Sequence, residues 1–371
     1  MIAERAAAWP ETPTCFAYRS RHRIDFAEIV VRIKEDAAVE TVHNLHVAAR
    51  PKYARRRPEL TELYQLVQNH IKTFNSQVEL ETGRVLPAYV KAEFDAFLKC
   101  GILAHGFLRL RCDQCGHEKL VAFSCKKRGF CPSCGARRMA ETAAHLVDEV
   151  IPRVPVRQWV VSFPKPIRVL LASRPELITP VLTVIQRVIT SFLIKQSGLP
   201  RQTSHTGAVT PVQGFGSAAN LNIHLHCLVL DGVYTKKGNE VQFYPVKAPS
   251  NQQLQLLLQC MIRRIMRCLV RKNMLIEDTG QIYLAEQDPD DVLAPLQAAA
   301  CTYRIAFGPR KGQKVLSLQT VLPGAPEINS PRCVSDLGFS LHANTACGAQ
   351  DRSTLERLCR VLPAQLWPIK E

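Results

Sequence analysis

Apolar residues recur at spacings of three and four through Leu60, Leu63, Tyr64, Val67, Ile71, Phe74 and Val78, which predicts an amphipathic helix from Pro58 ending near Gly83. A second helix follows Pro87, with Val90, Phe94, Phe97 and Leu98 on one face and Gly101 as its stop. The period then shortens to two. Phe107 to Cys112 and His117 to Phe123 alternate like short strands around the turn Asp113-Gln114-Cys115-Gly116. From Ala136 a helix through Met139, Ala143, Leu146, Val147 and Val150 leads to Pro152 and Pro155, a hinge between domains. Beyond it come a strand at Val156 to Phe163 broken by Pro164, a long helix from Thr179 to Gln196, and a short strand at Ala208 to Gln213. Further strands are expected at Val241 to Tyr244, Lys314 to Gln319 and Phe339 to Thr345, and helices at Gln252 to Leu275, Asp290 to Thr302 and Thr354 to Cys359. Strands separated by helices, without a phosphate-binding glycine loop, predict an α+β sheet domain and not a nucleotide-binding α/β fold.

One stretch organises this pattern. Leu221, Ile223, Leu225, Cys227 and Val229 occur at period two and the segment closes on Asp231-Gly232, a turn signal. In a strand alternate side chains share a face, so His224 and His226 project together while their apolar neighbours fill the other side. Two imidazoles side by side suit a divalent metal; two histidines satisfied by hydrogen bonds on a half-buried strand fit the same triplet.

The chain has 371 residues, more than the roughly 250 to 300 at which single cores stop growing, so two or more domains are expected. The pattern divides it into an arm over residues 1–57, a helical domain bearing the paired cysteines over 58–150, a sheet domain over 151–361 and an atypical tail over 362–371. Lys plus Arg number 48 against 32 acidic residues, giving +16, which favours a polyanionic partner, nucleic acid first. No apolar run approaches the 18 residues of a membrane span, and no apolar stretch of signal-peptide length follows Met1; a cytoplasmic protein with no membrane partner is expected. The basic run Lys52 to Arg57 is a solvated arm or a DNA-contacting one, and Arg263, Arg264, Arg267 and Arg271 form a solvated helix face or a DNA track.

Fourteen cysteines in a reducing compartment are thiols and metal ligands before they are disulfides. Cys112, Cys115, Cys131 and Cys134 make two Cys-x-x-Cys knuckles, the spacing of a closed tetrahedral structural zinc site. Cys125, Cys100, His105 and His117 are candidate substitutes for one ligand. A nucleobase deaminase is excluded, since its proline precedes the first knuckle cysteine and its His-x-Glu supplies a ligand and a proton shuttle. Here the knuckle is Cys131-Pro132-Ser133-Cys134 and the upstream pair is His117-Glu118.

Phe107-Leu108-Arg109-Leu110-Arg111-Cys112, Phe123-Ser124-Cys125-Lys126 and Phe130-Cys131-Pro132-Ser133-Cys134-Gly135-Ala136-Arg137-Arg138-Met139 together resemble the zinc-binding domain of rolling-circle transposases of the insertion sequence 91 family. Gln213-Gly214-Phe215-Gly216-Ser217, Asn220 to His226, Leu230 to Tyr234, Gly338 to Ala343 and Leu355 to Arg360 are similar to the nuclease core of that family, in the same order. The resemblance implies a small zinc-ribbon domain followed by a HUH endonuclease domain, an antiparallel sheet flanked by helices with both histidines on a central strand. It implies Mg2+ or Mn2+ held by His224, His226 and a third ligand, with Gln213 considered first and His342 second. It implies single-stranded DNA and element ends as partners, and a tyrosine that attacks the scissile phosphate to leave a 5′-phosphotyrosine and a free 3′-OH.

The chain departs from the family where that tyrosine belongs. After Leu358-Cys359-Arg360 the family continues with tyrosine, and two-tyrosine members add another one helical turn later; here those positions are Val361 and Gln365. Pro363 and Pro368 would break the expected helix. A frame disruption or premature end after Arg360 is the expected origin, and loss of covalent cleavage with retained metal and DNA binding the expected result. Tyr234 and Tyr303 are the remaining candidate nucleophiles.

Overall fold

The computed structural model describes residues 57–127, 131–216, 220–238, 240–278, 281–284, 291–315 and 331–361. The N-terminal arm before residue 57, the tail from 362 and the strand expected beyond residue 315 lie outside the described residues. The chain divides into two compact units, one comprising residues 1–71 and 94–126, the other residues 72–93 and 127–371.

In the first unit, helix α1 (Glu62–Thr82) begins and helix α2 (Ala88–Lys99) ends. Tyr64 and Phe97 are buried with ring centroids 6.0 Å apart, and the Tyr64 hydroxyl donates to the Leu98 carbonyl at 3.2 Å. Strands β1 (Phe107–Arg111) and β2 (Glu118–Ala122) pair antiparallel from Phe107 opposite Ala122 to Arg111 opposite Glu118. The intervening turn closes by Cys112 N–H donating to the His117 carbonyl and Gly116 N–H to the Cys112 carbonyl, both at 2.9 Å. Gly116 takes φ +66°, a left-handed conformation that favours glycine.

The second unit is built on an antiparallel sheet. Its strands are β3 (Val156–Ser162), β5 (Ala208–Val209), β6 (Val212–Phe215), β7 (Leu221–Leu230), β12 (Cys333–Asp336), β13 (Phe339–His342) and β14 (Ala346–Cys347). The order is β12-β13-β3-β7-β5, with β6 also on β7 and β14 also on β3. The histidine strand β7 is therefore internal, as its alternation implies.

One face of this sheet carries the main core. Trp159 and Val161 of β3, Ile223, Leu225 and Cys227 of β7 and Leu341 of β13 pack with three helices, α4 (Lys165–Ser173), α5 (Ile178–Ser197) and α6 (Asn251–Arg271). Helix α5 ends at Gly198 with φ +69°, and α6 opens with a reciprocal capping box between Ser250 and Gln253. The span Pro175–Ser197 has the length and hydropathy of a bilayer-crossing helix, more apolar than the sequence reading allows. Val181, Ile185, Val188, Ile189 and Leu193 are nevertheless buried in the core, which accounts for its apolar composition. Arg263, Arg264, Arg267 and Arg271 of α6 are exposed.

Among the described residues, the other face is covered at one end by a smaller cluster. Val156, Leu228 and Leu230 meet Ala143 of α3 (Pro132–His145), Val147 and Ile151 just after it, and Leu355 and Cys359 of α8 (Arg352–Val361). Three further strands, β4 (Ser204–His205), β8 (Gly232–Lys237) and β9 (Glu240–Pro245), form a separate sheet in the order β4-β8-β9. A hairpin joins β10 (Leu275–Asp278) to β11 (Gln281–Leu284), and α7 (Ala294–Thr302) ends at Tyr303 with φ +57°.

The differences from the sequence pattern are local. Helix α4 occupies the stretch after Pro164, because Pro166 sits in its first turn where a missing N–H is tolerated. Helix α6 stops at Arg271; Asn273 turns left-handed at φ +56° and Leu275 starts a strand. β8 extends through Lys236 and Lys237, which carry no apolar alternation.

Candidate functional site

Along β7, Asn222, His224 and His226 are half-buried while Ile223, Leu225 and Cys227 are buried in the main core. The two imidazoles lie side by side with centroids 4.9 Å apart. His224 and His226 stand opposite Ser162 and Val160 of β3, and on the other side Gln213 of β6 stands opposite His224. Opposed residues of an antiparallel pair share a face with Cβ atoms about 4.5–5.5 Å apart, so Gln213 is a direct neighbour of His224. His342 is opposite Val160, two strands from His226, about 10 Å by strand spacing. Its Nε2 lies 3.0 Å from the Cys333 thiol sulfur.

The hydrogen bonds around the histidines set which nitrogen is free. His224 Nδ1 lies 2.6 Å from the Asn222 carbonyl oxygen, an acceptor, so Nδ1 carries the proton and Nε2 keeps its lone pair. His226 Nδ1 lies 2.9 Å from the Gln158 side-chain amide, while His226 Nε2 is buried with no hydrogen-bond partner among the described residues. With the Gln158 amide turned so that its oxygen accepts from His226 Nδ1–H, Nε2 of both rings carries a lone pair, and the two imidazoles beside the Gln213 carboxamide opposite His224 are a donor set that fits a divalent ion. Asn222 Oδ1 on the same face is also buried without a partner among the described residues.

Burial keeps both rings neutral, the ligating form. Desolvation pushes His226 down to about 4, helped by His224. Burial likewise lowers His224, the Asn222 hydrogen bond opposes this, and the Arg168 guanidinium adds to the lowering. The folded value of His226 lies below its ordinary 6.5, so between those values the unfolded chain binds more protons. Metal-free protein is therefore expected to lose stability as pH falls from 6.5 toward about 4 and to show no further loss from this group below that. Urea midpoints across the range, with imidazole NMR titration of His226, check this; a midpoint near 6.5 for His226 would contradict it.

Gln158 and Arg168 are site residues that sequence reasoning missed. Gln158 sits in an apolar strand, and only the register of β3 on β7 brings it to His226. Arg168 belongs to α4, which the pattern did not reveal.

The second cluster is thiol-rich. The sulfurs of Cys100, Cys125, Cys131 and Cys134 lie within 4.8 Å of one another. Cys131 caps α3, whose first turn takes Pro132 and places Cys134 one turn along. Two of the four cysteines at knuckle spacing, Cys131 and Cys134, are in this group; Cys112 and Cys115 are not, and Cys100 and Cys125, named above as substitutes, are. Tyr234 packs edge-on to Phe243 with centroids 5.0 Å apart and joins the smaller apolar cluster. Tyr303 is the left-handed cap of α7.

Two family models match the chain. The transposase zinc-binding domain of the insertion sequence 91 type matches residues 66–163, and a transposase family model, Y2_Tnp, matches residues 207–363. Together they cover more than half of the chain. No curated protein and no solved structure matches. The zinc-binding match and the four-cysteine group support a structural zinc ion.

Proposed function

The chain belongs to the insertion sequence 91 family of transposases, and from that premise we propose that it serves rolling-circle transposition, binding element ends and holding single-stranded DNA with a scissile phosphate over His224 and His226. The sheet domain is then a HUH-type nuclease core acting on DNA in the cytoplasm. The observation that carries this reading is the pair of neutral imidazoles on a polar sheet face, with His226 Nε2 buried and unsatisfied among the described residues.

His224, His226 and Gln213 would hold Mg2+ or Mn2+, which would supply Lewis-acid polarisation of the phosphate. The protein's own groups do the positioning. The Asn222 carbonyl fixes the His224 tautomer, Gln158 orients His226, and the Arg168 guanidinium places a positive charge near His224. In the cutting step a tyrosine oxygen would form a bond to phosphorus as the bond to the 3′ oxygen breaks, that oxygen taking up a proton.

Helix α8 would carry the tyrosine, and it packs through Leu355 and Cys359 on the face of the sheet that bears the histidines. Position 361 at its end is valine, which has no nucleophile. Tyr234 is engaged in packing with Phe243. We therefore assign the chain metal and DNA binding with an impaired covalent step, which favours a second reading beside the active enzyme, a zinc-dependent DNA-binding remnant of a transposase.

The test mixes purified protein, Mn2+ and single-stranded oligonucleotides carrying the flanking element end, and separates the products on a denaturing gel. The expected result is bound DNA without a protein-linked strand. An adduct that disappears in His224→Ala would establish an active enzyme with another nucleophile. Absence of any DNA binding would remove both readings.

A further inference from the structure

Beside His226, on the same sheet face, lies a cavity of about 260 Å³ lined by Gln158, Val160, Ser162, His342, Asn344 and Thr345. Val160 is the register partner of both His226 and His342, so the cavity begins one strand from the imidazole pair. Gln158 belongs to both places: it lines the cavity and its amide touches His226 Nδ1.

The chemistry of the lining narrows the ligand. It holds two carboxamides, two hydroxyls and an imidazole over an apolar valine, with neither a carboxylate nor an ammonium or guanidinium group. The lining side chains carry no charge to pair with a phosphate or a carboxylate, and the Arg332 guanidinium at the edge is turned onto Asn344 Oδ1, so the wall suits a neutral, flat molecule with hydrogen-bonding edges. The volume is below the roughly 300 Å³ at which drug-sized sites begin, and suits one ring system. Asn344 keeps capacity for such a ligand, because its Oδ1 accepts from Arg332 at 3.2 Å while its amide N–H groups remain to donate.

We propose that this cavity receives one unstacked base of the single strand whose phosphate lies over His224 and His226, and that Asn344 and Gln158 read its edge. Carboxamides are the side chains that pair with base edges through a donor and an acceptor together, and unstacked bases of single strands are recognised in this way. The inference rests on the DNA-cutting reading of the histidine pair and adds a base-discriminating subsite to it. Because Gln158 spans the cavity and His226, a seated base also holds the amide that orients the imidazole.

The test measures binding of the full zinc-loaded chain to fluorescein-labelled dA, dC and dT homopolymers of about 12 nucleotides by anisotropy. The wild type is expected to favour one base over the least favoured by about tenfold, the order of a single good edge contact. Asn344→Leu, which keeps the side-chain volume, and Asn344→Ala, which opens the site, are each expected to reduce that ratio to near one while both bind single strands. Asn344 is exposed, so neither change disturbs the core. Equal binding of all three homopolymers by the wild type, or a preference unchanged in both variants, overturns the subsite and leaves the cutting reading standing. No single-strand binding by the wild type overturns the cutting reading and the subsite with it.

Discussion

Replacing Asp231 by alanine is expected to lower the unfolding free energy by about 3–5 kcal/mol, the range for removing one partner of a buried ion pair. Asp231 follows the last residue of β7 and is 7% exposed; Arg157 of β3 is 6% exposed. Their pairing is bidentate, Arg157 Nε to Oδ1 at 3.1 Å and Nη2 to Oδ2 at 2.6 Å, and Nη1 donates to the Ala343 carbonyl at 2.9 Å. The Asp231 backbone adds two bonds, donating to Pro155 at 2.8 Å and accepting from Val246 at 2.9 Å. The pair thus ties the ends of β3, β7, β9 and β13. Without its carboxylate the guanidinium stays buried and unpaired, a large fraction of the roughly 5–15 kcal/mol that holds a domain folded. Asp231→Asn, which keeps an acceptor, should lose less. Urea denaturation checks the figure, and a change under about 1 kcal/mol would mean that water reaches Arg157 in the native state. His224 lies seven residues back along an extended strand, about 23 Å away, so the folded fraction of Asp231→Ala should keep its histidine geometry.

This clamp also marks what the sequence could and could not disclose. The turn at Asp231-Gly232 was legible because the apolar alternation of β7 ends there, and Gly232 is required by close approach: a Cβ would clash with the Tyr244 carbonyl. The ion pair was not legible, since Arg157 and Asp231 are 74 residues apart and only strand pairing joins them. The same division holds at the site. His224 and His226 declared their common face through period two, and Gln213 followed from the resemblance. Gln158 and the cavity around Asn344 depend on the register of β3 with β7 and β13, which no local pattern encodes. Helix α4 was missed because prolines flank and enter it, and Arg168 was hidden with it. Among the cysteines, sequence spacing favours close pairs, whereas Cys100 and Cys125 are isolated in the chain and meet only in the fold.

That last contrast leads to the largest expected effect, on zinc. Four thiolates bound to one tetrahedral zinc at about 2.3 Å stand about 3.8 Å apart. The sulfurs of Cys100, Cys125, Cys131 and Cys134 already lie within 4.8 Å of one another, close to that geometry. Cys125 N–H also donates to the Cys100 sulfur at 3.3 Å, the contact that backbone amides make with ligating thiolates. Zinc is therefore expected to bind through these four, and Cys100→Ser or Cys125→Ser should carry far less than one zinc per chain as purified. Structural zinc supplies on the order of 10 kcal/mol to the small folds that hold it, so these variants should also lose cooperative thermal unfolding of the zinc-binding domain. Cys115, exposed in the turn between β1 and β2, should tolerate serine with its zinc retained. Metal analysis of the three variants decides between the two ligand sets. Loss of zinc in Cys115→Ser with retention in Cys100→Ser and Cys125→Ser would return the site to the two knuckles. Loss in all three would put Cys115 in the same sphere as Cys100 and Cys125 and overturn both four-cysteine sets.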